Sequence, residues 1–337
     1  MNAQLLHMAN YPAGCILSII VPVFNEAAVL AEFHQRLSKV LIKIPLDYEL
    51  VFIDDGSTDE TWSMLRRLHA IDPAVAIARF SRNFGKEQAL TAGLHLAHGE
   101  AVIILDADLQ DPPEEIPRML KEWRAGADIV NMRRSSRPGE SWFKRSSAHL
   151  FYRTINAISE SPIPVDVGDF RLLSRRAVDA LNQLGESNRF MKGLFGWIGF
   201  PQTTLTYARH PRLAGQSKWP YWKLWNLALE GITGFSTAPL KVASYAGLAS
   251  ALGAFAYAAY FLLKTLLLGD SVPGFPTLIV SVLLLGGMQL MAIGVLGEYL
   301  GRLFKESKRR PLYLIEHYAP AVGAASEQLP RPRAVKA

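Results

Sequence analysis

Cysteine is nearly absent from this sequence: Cys15 is the single one in 337 residues. One thiol cannot close an intramolecular disulfide, and it excludes a cysteine-rich metal site. It suits a reducing compartment. The first residues also lack the basic start, apolar core and small-residue cleavage site of a secretory signal. The apolar run near residue 16 is interrupted by Pro22 and is too short to span a bilayer. These absences predict that the N-terminal part of the chain stays in the cytoplasm. Internal repeats and heptads are missing too, which excludes a solenoid or a coiled coil.

Long apolar runs are missing before about residue 240 and concentrated after it, although half of all residues are hydrophobic and the mean hydropathy is +0.12. The average therefore hides a soluble part and a membrane part. Net charge is +6 and the sequence pI is near 9.3. A basic balance of this size suits nucleic acid, anionic lipid or phosphate-bearing substrates, and it also follows from the positive-inside bias of a membrane protein.

In the soluble part, short apolar runs rich in Ile and Val alternate with helical stretches. Residues 16–24, 48–54, 74–80, 101–108 and 127–132 predict strands buried on both faces. Helices are expected from about Glu26 to Lys43 and from about Gly85 to Ala97. Alternation of this kind means crossover connections and a mostly parallel sheet. In such sheets ligands bind beyond the carboxyl ends of the strands. Asp54, Asp55, Asp106 and Asp108 all fall at those ends, which predicts one shared site.

Residues 242–268 and 277–300 are two apolar stretches, each of about the 20 residues that span a bilayer as a helix. The connector GDSVPGFP is too short for a domain, so a helical hairpin is expected. Lys241 precedes it, and Arg302, Lys305, Lys308, Arg309 and Arg310 follow, whereas the connector carries only Asp270. That asymmetry predicts both outer ends in the cytoplasm. Lys264, near the connector, is placed to snorkel toward the far headgroups. Residues 218–235, with Trp219, Tyr221, Trp222 and Trp225 among Lys218 and Lys223, suit an interfacial helix or one packed on the soluble domain.

Asp106-Ala107-Asp108 follows the apolar run VIIL. Paired carboxylates at a strand end suit a hard cation such as Mg²⁺ or Mn²⁺, which keeps positions open for phosphate oxygens. Asp54-Asp55-Gly56-Ser57 has two readings: carboxylates that accept hydrogen bonds from a nucleobase or ribose, or a capped turn between strand and helix.

The segments VPVFNE, DDGSTD, SRNFGKEQALTAGL and DADLQDPPEEI, in this order and spacing, resemble glycosyltransferase family 2. VGDFRLLSRRAV, RFMKGLFGWIGF, GQSKWPYWKLWN and GVLGEYLGRLF are similar to the polyprenyl-phosphate glycosyltransferases, above all the bactoprenol glucosyltransferases, with dolichol-phosphate mannose synthases more distant. The resemblance covers about residues 16–315. It implies a GT-A catalytic domain (Rossmann-like, α/β, mostly parallel) at 16–217 after an N-terminal extension at 1–15. An interfacial amphipathic region would follow at 218–240, a transmembrane hairpin at 241–301, and a basic cytoplasmic tail, disordered at its end, at 302–337.

The implied activity is inverting transfer of a hexose from a nucleotide-sugar, UDP-glucose, to undecaprenyl or another polyprenyl phosphate. This would occur at the cytoplasmic face of a bacterial inner membrane and modify surface glycans such as lipopolysaccharide O-antigen. The alternatives are a processive polysaccharide synthase, whose extra spans and Arg-Trp motif are missing, and a non-catalytic scaffold of a glycan assembly complex. The resemblance assigns the nucleotide-sugar to Pro22, Glu26, Asp55, Asn83, Gly85, Lys86, Asp106 and Gln110, and the metal to Asp106 and Asp108. Asp169 and Asp108 would be catalytic. Arg209, Arg212 and Lys218 would face the acceptor phosphate. A homo-oligomer is implied, and no nucleic-acid partner.

Overall fold

The structure, a computed structural model, describes residues 16–135, 167–186, 189–208, 238–268 and 274–322. Its centre is an eight-stranded sheet in the order β7-β5-β6-β4-β1-β2-β3-β8. The strands are β1 (Ile16–Val23), β2 (Asp47–Asp54), β3 (Val75–Phe80), β4 (Ala101–Ile104), β5 (Ile129–Arg134), β6 (Val167–Ser174), β7 (Gln202–Tyr207) and β8 (Ile315–Ala319). The block β4-β1-β2-β3 is parallel. β6 runs antiparallel between β4 and β5, and β7 is parallel to β5. The sheet is thus mostly parallel, as the alternating pattern predicts.

β1 is central and flanked on both sides, so its nearly continuous apolar run has a face to bury on each side of the sheet. Leu17, Ile19, Val21 and Val23 pack on one face with Leu50 and Phe52 of β2. Helix α1 (Ala27–Leu41) covers them with Leu30, Phe33, Leu37 and Leu41, a helical stripe at period 3.6. Helices α2 (Thr61–Ile71) and α4 (Ile116–Arg124) lie on the same face through Leu65 and through Ile116, Met119 and Leu120. On the other face, α3 (Lys86–Leu96), α5 (Arg175–Gln183) and α6 (Met191–Trp197) cover Ile20, Val102 and Ile104. The result is a three-layer α/β/α sandwich.

Strand order reverses between β1 and β4. At such a reversal the flanking crossovers lie on opposite faces and leave a crevice at the carboxyl ends. β6 adds its opposite end to that crevice. Its antiparallel pairing sets Arg171 beside Ile104, so the start of β6 lies next to the loop that follows β4.

Beyond the sheet, α7 (Ala238–Leu268) and α8 (Phe275–Ser307) are in contact along the hairpin expected from sequence. At 1.5 Å per residue they are about 46 and 50 Å long, more than the roughly 30 Å hydrocarbon core. They leave large apolar side chains exposed, among them Leu252, Phe255 and Leu263 of α7 and Leu290, Ile293 and Leu296 of α8. Among the described residues one helical segment, Leu284–Ser307, is long and apolar enough by composition to cross a membrane.

The expected tail at 302–337 is revised in its first half. α8 continues to Ser307, and the chain then returns to the sheet as β8, antiparallel to β3 with Ala78 opposite Tyr318. The Ser81 amide donates to the Leu314 carbonyl at 3.0 Å and the Val322 amide to the Pro73 carbonyl at 2.8 Å. The Tyr313 ring stacks on Phe80 with centroids 5.0 Å apart. A basic stretch ahead of a five-residue edge strand reads as a tail because a short edge strand carries little apolar pattern.

Candidate active site

The site forms where four loops converge at the carboxyl edge. The loops after β1 and β2 are tied together. Asn25, in a left-handed conformation at φ 56°, accepts from the Thr58 amide at 2.9 Å, and its own amide donates to Ser57 Oγ at 2.9 Å. The Glu26 amide donates to Thr61 Oγ1 at 2.9 Å. Pro22 and Glu26 are partly buried beside these loops.

Asp55 pins the third loop. Its two carboxylate oxygens accept from the Phe84 and Gly85 amides at 2.7 and 2.9 Å. Burial raises its pKa despite those amides, with the Asp54 charge adding to the rise. Gly56 permits this closure. Its φ is +71°, and a Cβ there would lie 2.6 Å from the Arg82 carbonyl carbon. This segment is a turn, with the Asp54 carboxylate accepting from the Ser57 amide at 3.0 Å, but it does not cap the helix: α2 begins only at Thr61, after Glu60, which makes no side-chain capping bond. Asn83 is exposed in the same loop.

Lys86 opens α3 and points across the crevice. Its ammonium is 2.7 Å from both Asp106 oxygens and 2.7 Å from Asp169 Oδ2. Burial alone would lower the Lys86 pKa, but the two carboxylates outweigh it and raise it above the ordinary lysine range. Asp169 shows the mirror effect: burial opposes ionisation, and the Lys86 and Lys192 charges hold its carboxyl well below the usual range. The sequence separates these three residues by up to 83 positions, and the fold brings them together.

β4 ends at Ile104, so Asp106 and Asp108 stand in a loop and not on the strand expected through residue 108. Leu109, just after them, is buried and held at φ 56°. A non-glycine residue there costs of order 1–3 kcal/mol, a strain typical of functional loops. The Gln110 amide donates to Asp108 Oδ1 at 3.1 Å, and the Gln110 side chain is buried.

Among the described residues no three His, Cys, Asp or Glu side chains converge as a metal cage. The donor set still fits Mg²⁺ or Mn²⁺. Such ions accept one or two carboxylates and take their remaining oxygens from phosphates and water. Asp106 and Asp108 are partly exposed toward the crevice and offer oxygen donors only. Arg209, Arg212, Lys218 and the interfacial stretch 218–235 lie outside the described residues.

Several site residues are not singled out by sequence. Glu87 accepts from the Met191 amide at 3.0 Å, and burial together with the Asp169 charge pushes its pKa up to about 7. Lys192, at the start of α6, bears electrostatically on both Glu87 and Asp169. Asp111, buried and raised in pKa by burial, accepts from the Tyr207 hydroxyl, and Arg134 lies against that pair. Glu87 and Lys192 stood in the motifs GKE and MKG, but only the packing of α3 on α6 gives them a shared environment.

A Rossmann-like sheet whose acidic loops gather at its switch point, continued by an apolar hairpin, is the architecture of a GT-A glycosyltransferase. The profile of glycosyl transferase family 2 matches residues 18–181, and that of the GtrB C-terminal hairpin matches residues 238–303. An uncharacterised glycosyltransferase of Synechocystis sp. is 50% identical over 89% of this chain and 94% of its own. The bactoprenol glucosyl transferase of Shigella phage SfV is 49% identical over 89% of this chain and 98% of its own. Among solved structures, glucosyl-3-phosphoglycerate synthase from Mycobacterium tuberculosis, in complex with Mn²⁺, UDP-glucose and phosphoglyceric acid, is 20% identical. It covers 66% of this chain and 78% of its own with a TM-score of 0.43. The chain belongs to glycosyltransferase family 2 and carries a GtrB-type hairpin.

Proposed function

We propose that the protein transfers a hexose, glucose from UDP-glucose, to a polyprenyl phosphate at the cytoplasmic membrane face. The observation that carries this reading is the Lys86–Asp106–Asp169 cluster on a chain that also bears the hairpin. A donor site and a membrane anchor on one short polypeptide suit an acceptor that lives in the bilayer. The 49% identity to bactoprenol glucosyl transferases supports glucose and the lipid carrier.

The β1 to β4 crevice would receive the nucleotide-sugar, with Pro22, Glu26 and the Asp55-pinned loop at Asn83–Gly85 around the nucleoside. Asp106 and Asp108 would hold the divalent cation beside the diphosphate, with Gln110 next to them. When bound, that cation neutralises charge on the departing diphosphate. Lys86 supplies a second positive charge at the same place. The acceptor is a phosphate monoester, largely dianionic at neutral pH because its second pKa is about 6. Its oxygen attacks the anomeric carbon from the face opposite the leaving diphosphate, and the C–O bond to the diphosphate breaks. No proton need be removed, which matches an Asp169 kept ionised by the positive charges around it, Lys192 and Arg171 as well as Lys86. Asp169 would orient the hydroxyls of the transferred sugar, or the acceptor as a whole. Arg209, Arg212 and Lys218 would offset the acceptor's charge.

The return of the chain as β8 supports the topology. Strands before and after the hairpin share one sheet, so the hairpin must cross the bilayer an even number of times. Seven residues link α8 to β8 and reach at most about 25 Å, less than a hydrocarbon core.

The test is transfer of radiolabelled glucose from UDP-glucose to undecaprenyl phosphate in membranes containing the protein. Asp106→Ala and Asp108→Ala should each lower the lipid-linked product by at least about 100-fold, the scale of lost transition-state charge stabilisation. A product unchanged in both variants would favour a scaffold role.

A further inference from the structure

Lys86 occupies a position that a cation bound by Asp106 also needs. Its ammonium lies 2.7 Å from both Asp106 oxygens. A divalent ion binds a carboxylate oxygen at about 2.1 Å, so two cations sharing one oxygen would stand within about 5 Å of each other. Their repulsion makes joint occupancy unfavourable. We propose that Lys86 is a built-in competitor for the divalent cation: it holds Asp106 and Asp169 together, yields Asp106 when cation and diphosphate arrive as a pair, and moves to the diphosphate. The proposal rests on the metal role assigned above to Asp106.

Three observations support such a hand-over. The Lys86 side chain is 43% exposed, so it can swing without opening the core. Gly85 before it sits at φ +109°, and the loop is anchored separately by Asp55, so the loop need not move with the side chain. Asp169 keeps compensation when Lys86 departs, because the Lys192 and Arg171 charges also favour its ionised form. The consequence is ordered loading. The cation alone meets a carboxylate already neutralised, whereas cation plus diphosphate gives the ammonium a new partner of the same sign as the one it leaves. The crevice thereby discriminates against a free cation and in favour of a nucleoside diphosphate with its cation.

The experiment is Mn²⁺ titration of the full-length protein in detergent micelles, followed by electron paramagnetic resonance, with and without UDP. In Lys86→Met, Mn²⁺ alone should bind about fivefold tighter than in the wild type, the scale of one half-exposed ion pair released. The gain on adding UDP should shrink, and Lys86→Arg should restore the wild-type order. A merely structural lysine would lose affinity under both conditions, and unchanged or weaker Mn²⁺ binding without UDP overturns the proposal. A wild-type measurement covers the case in which the variant does not fold. Modification of Lys86 by an amine reagent, read by mass spectrometry, should rise with saturating Mn²⁺ and fall again when UDP is added. No change with Mn²⁺ overturns the competition. Failure of glucose transfer with intact competition would fault the substrate reading and leave this inference standing.

Discussion

At the scale of single residues, the site is held by carboxylates that do different work. Asp55 is committed to the backbone, Asp106 and Asp169 to one ammonium, and Asp111 to Tyr207. Asp55 gives the sharpest test, because both its oxygens accept from amides. Asn at that position presents one oxygen and one NH₂, and the NH₂ faces an amide donor. Asp55→Asn should therefore destabilise the protein by about 1.5–3 kcal/mol, the scale of a hydrogen bond to a charged group lost in a buried site. It should also raise the KM for donor, since residues 83–85 lose their anchor. Thermal unfolding in detergent and donor-dependent kinetics measure the two effects. An Asn variant as stable as the wild type would show that the Phe84 and Gly85 amides find other partners.

At the scale of elements, the decisive contact is the one between α3 and the segment after α8. His95 of α3 meets the Tyr313 hydroxyl at 2.7 Å, and burial, with the Arg189 charge adding to it, pushes the His95 pKa down to about 4 from its ordinary 6.5. A depressed folded pKa means that the unfolded state binds the proton more readily. Its contribution to stability is complete above pH 6.5 and is lost as pH falls toward 4. At pH 5 the loss is up to about 2 kcal/mol, from 1.36 kcal/mol per pKa unit. Hydrogen exchange at residues 313–319, corrected for intrinsic rates, should therefore speed up between pH 7 and 5. His95→Gln should flatten that dependence. A pH-independent protection in the wild type would contradict the link.

At the scale of the whole molecule, β8 joins the membrane part to the catalytic part. It closes one edge of the sheet, where an unpaired β3 would expose a row of backbone donors and acceptors. On the membrane placement proposed above, it also requires an even number of crossings between the strands it joins. In a Cys15→Ser background, single cysteines placed between α7 and α8 and after residue 322 should react oppositely with a membrane-impermeant maleimide. The connector should label from outside intact cells, and the tail only after lysis. Labelling of both from outside would contradict an even number of crossings with the sheet inside.

Sequence and tertiary structure decided different parts of this protein. Patterns local in sequence were legible without coordinates. Apolar runs announced β1 to β5, and two long apolar stretches with basic flanks announced the hairpin. Acidic residues after strands pointed to the carboxyl edge where the loops converge, and motifs in register pointed to the family. Each of these depends on periodicity or local composition, which a chain carries in its order of residues. What the sequence could not decide were meetings between distant residues: Lys86 with Asp106 and Asp169, Glu87 with the Met191 amide, and β8 with β3 across the whole hairpin. The first depends on an antiparallel β6 placed beside β4, the second on the packing of α3 against α6, and the third on the return of the chain to the far edge of the sheet, where Tyr313 stacks on Phe80. Such long-range contacts are set by burial of the whole sheet, and no local pattern encodes them.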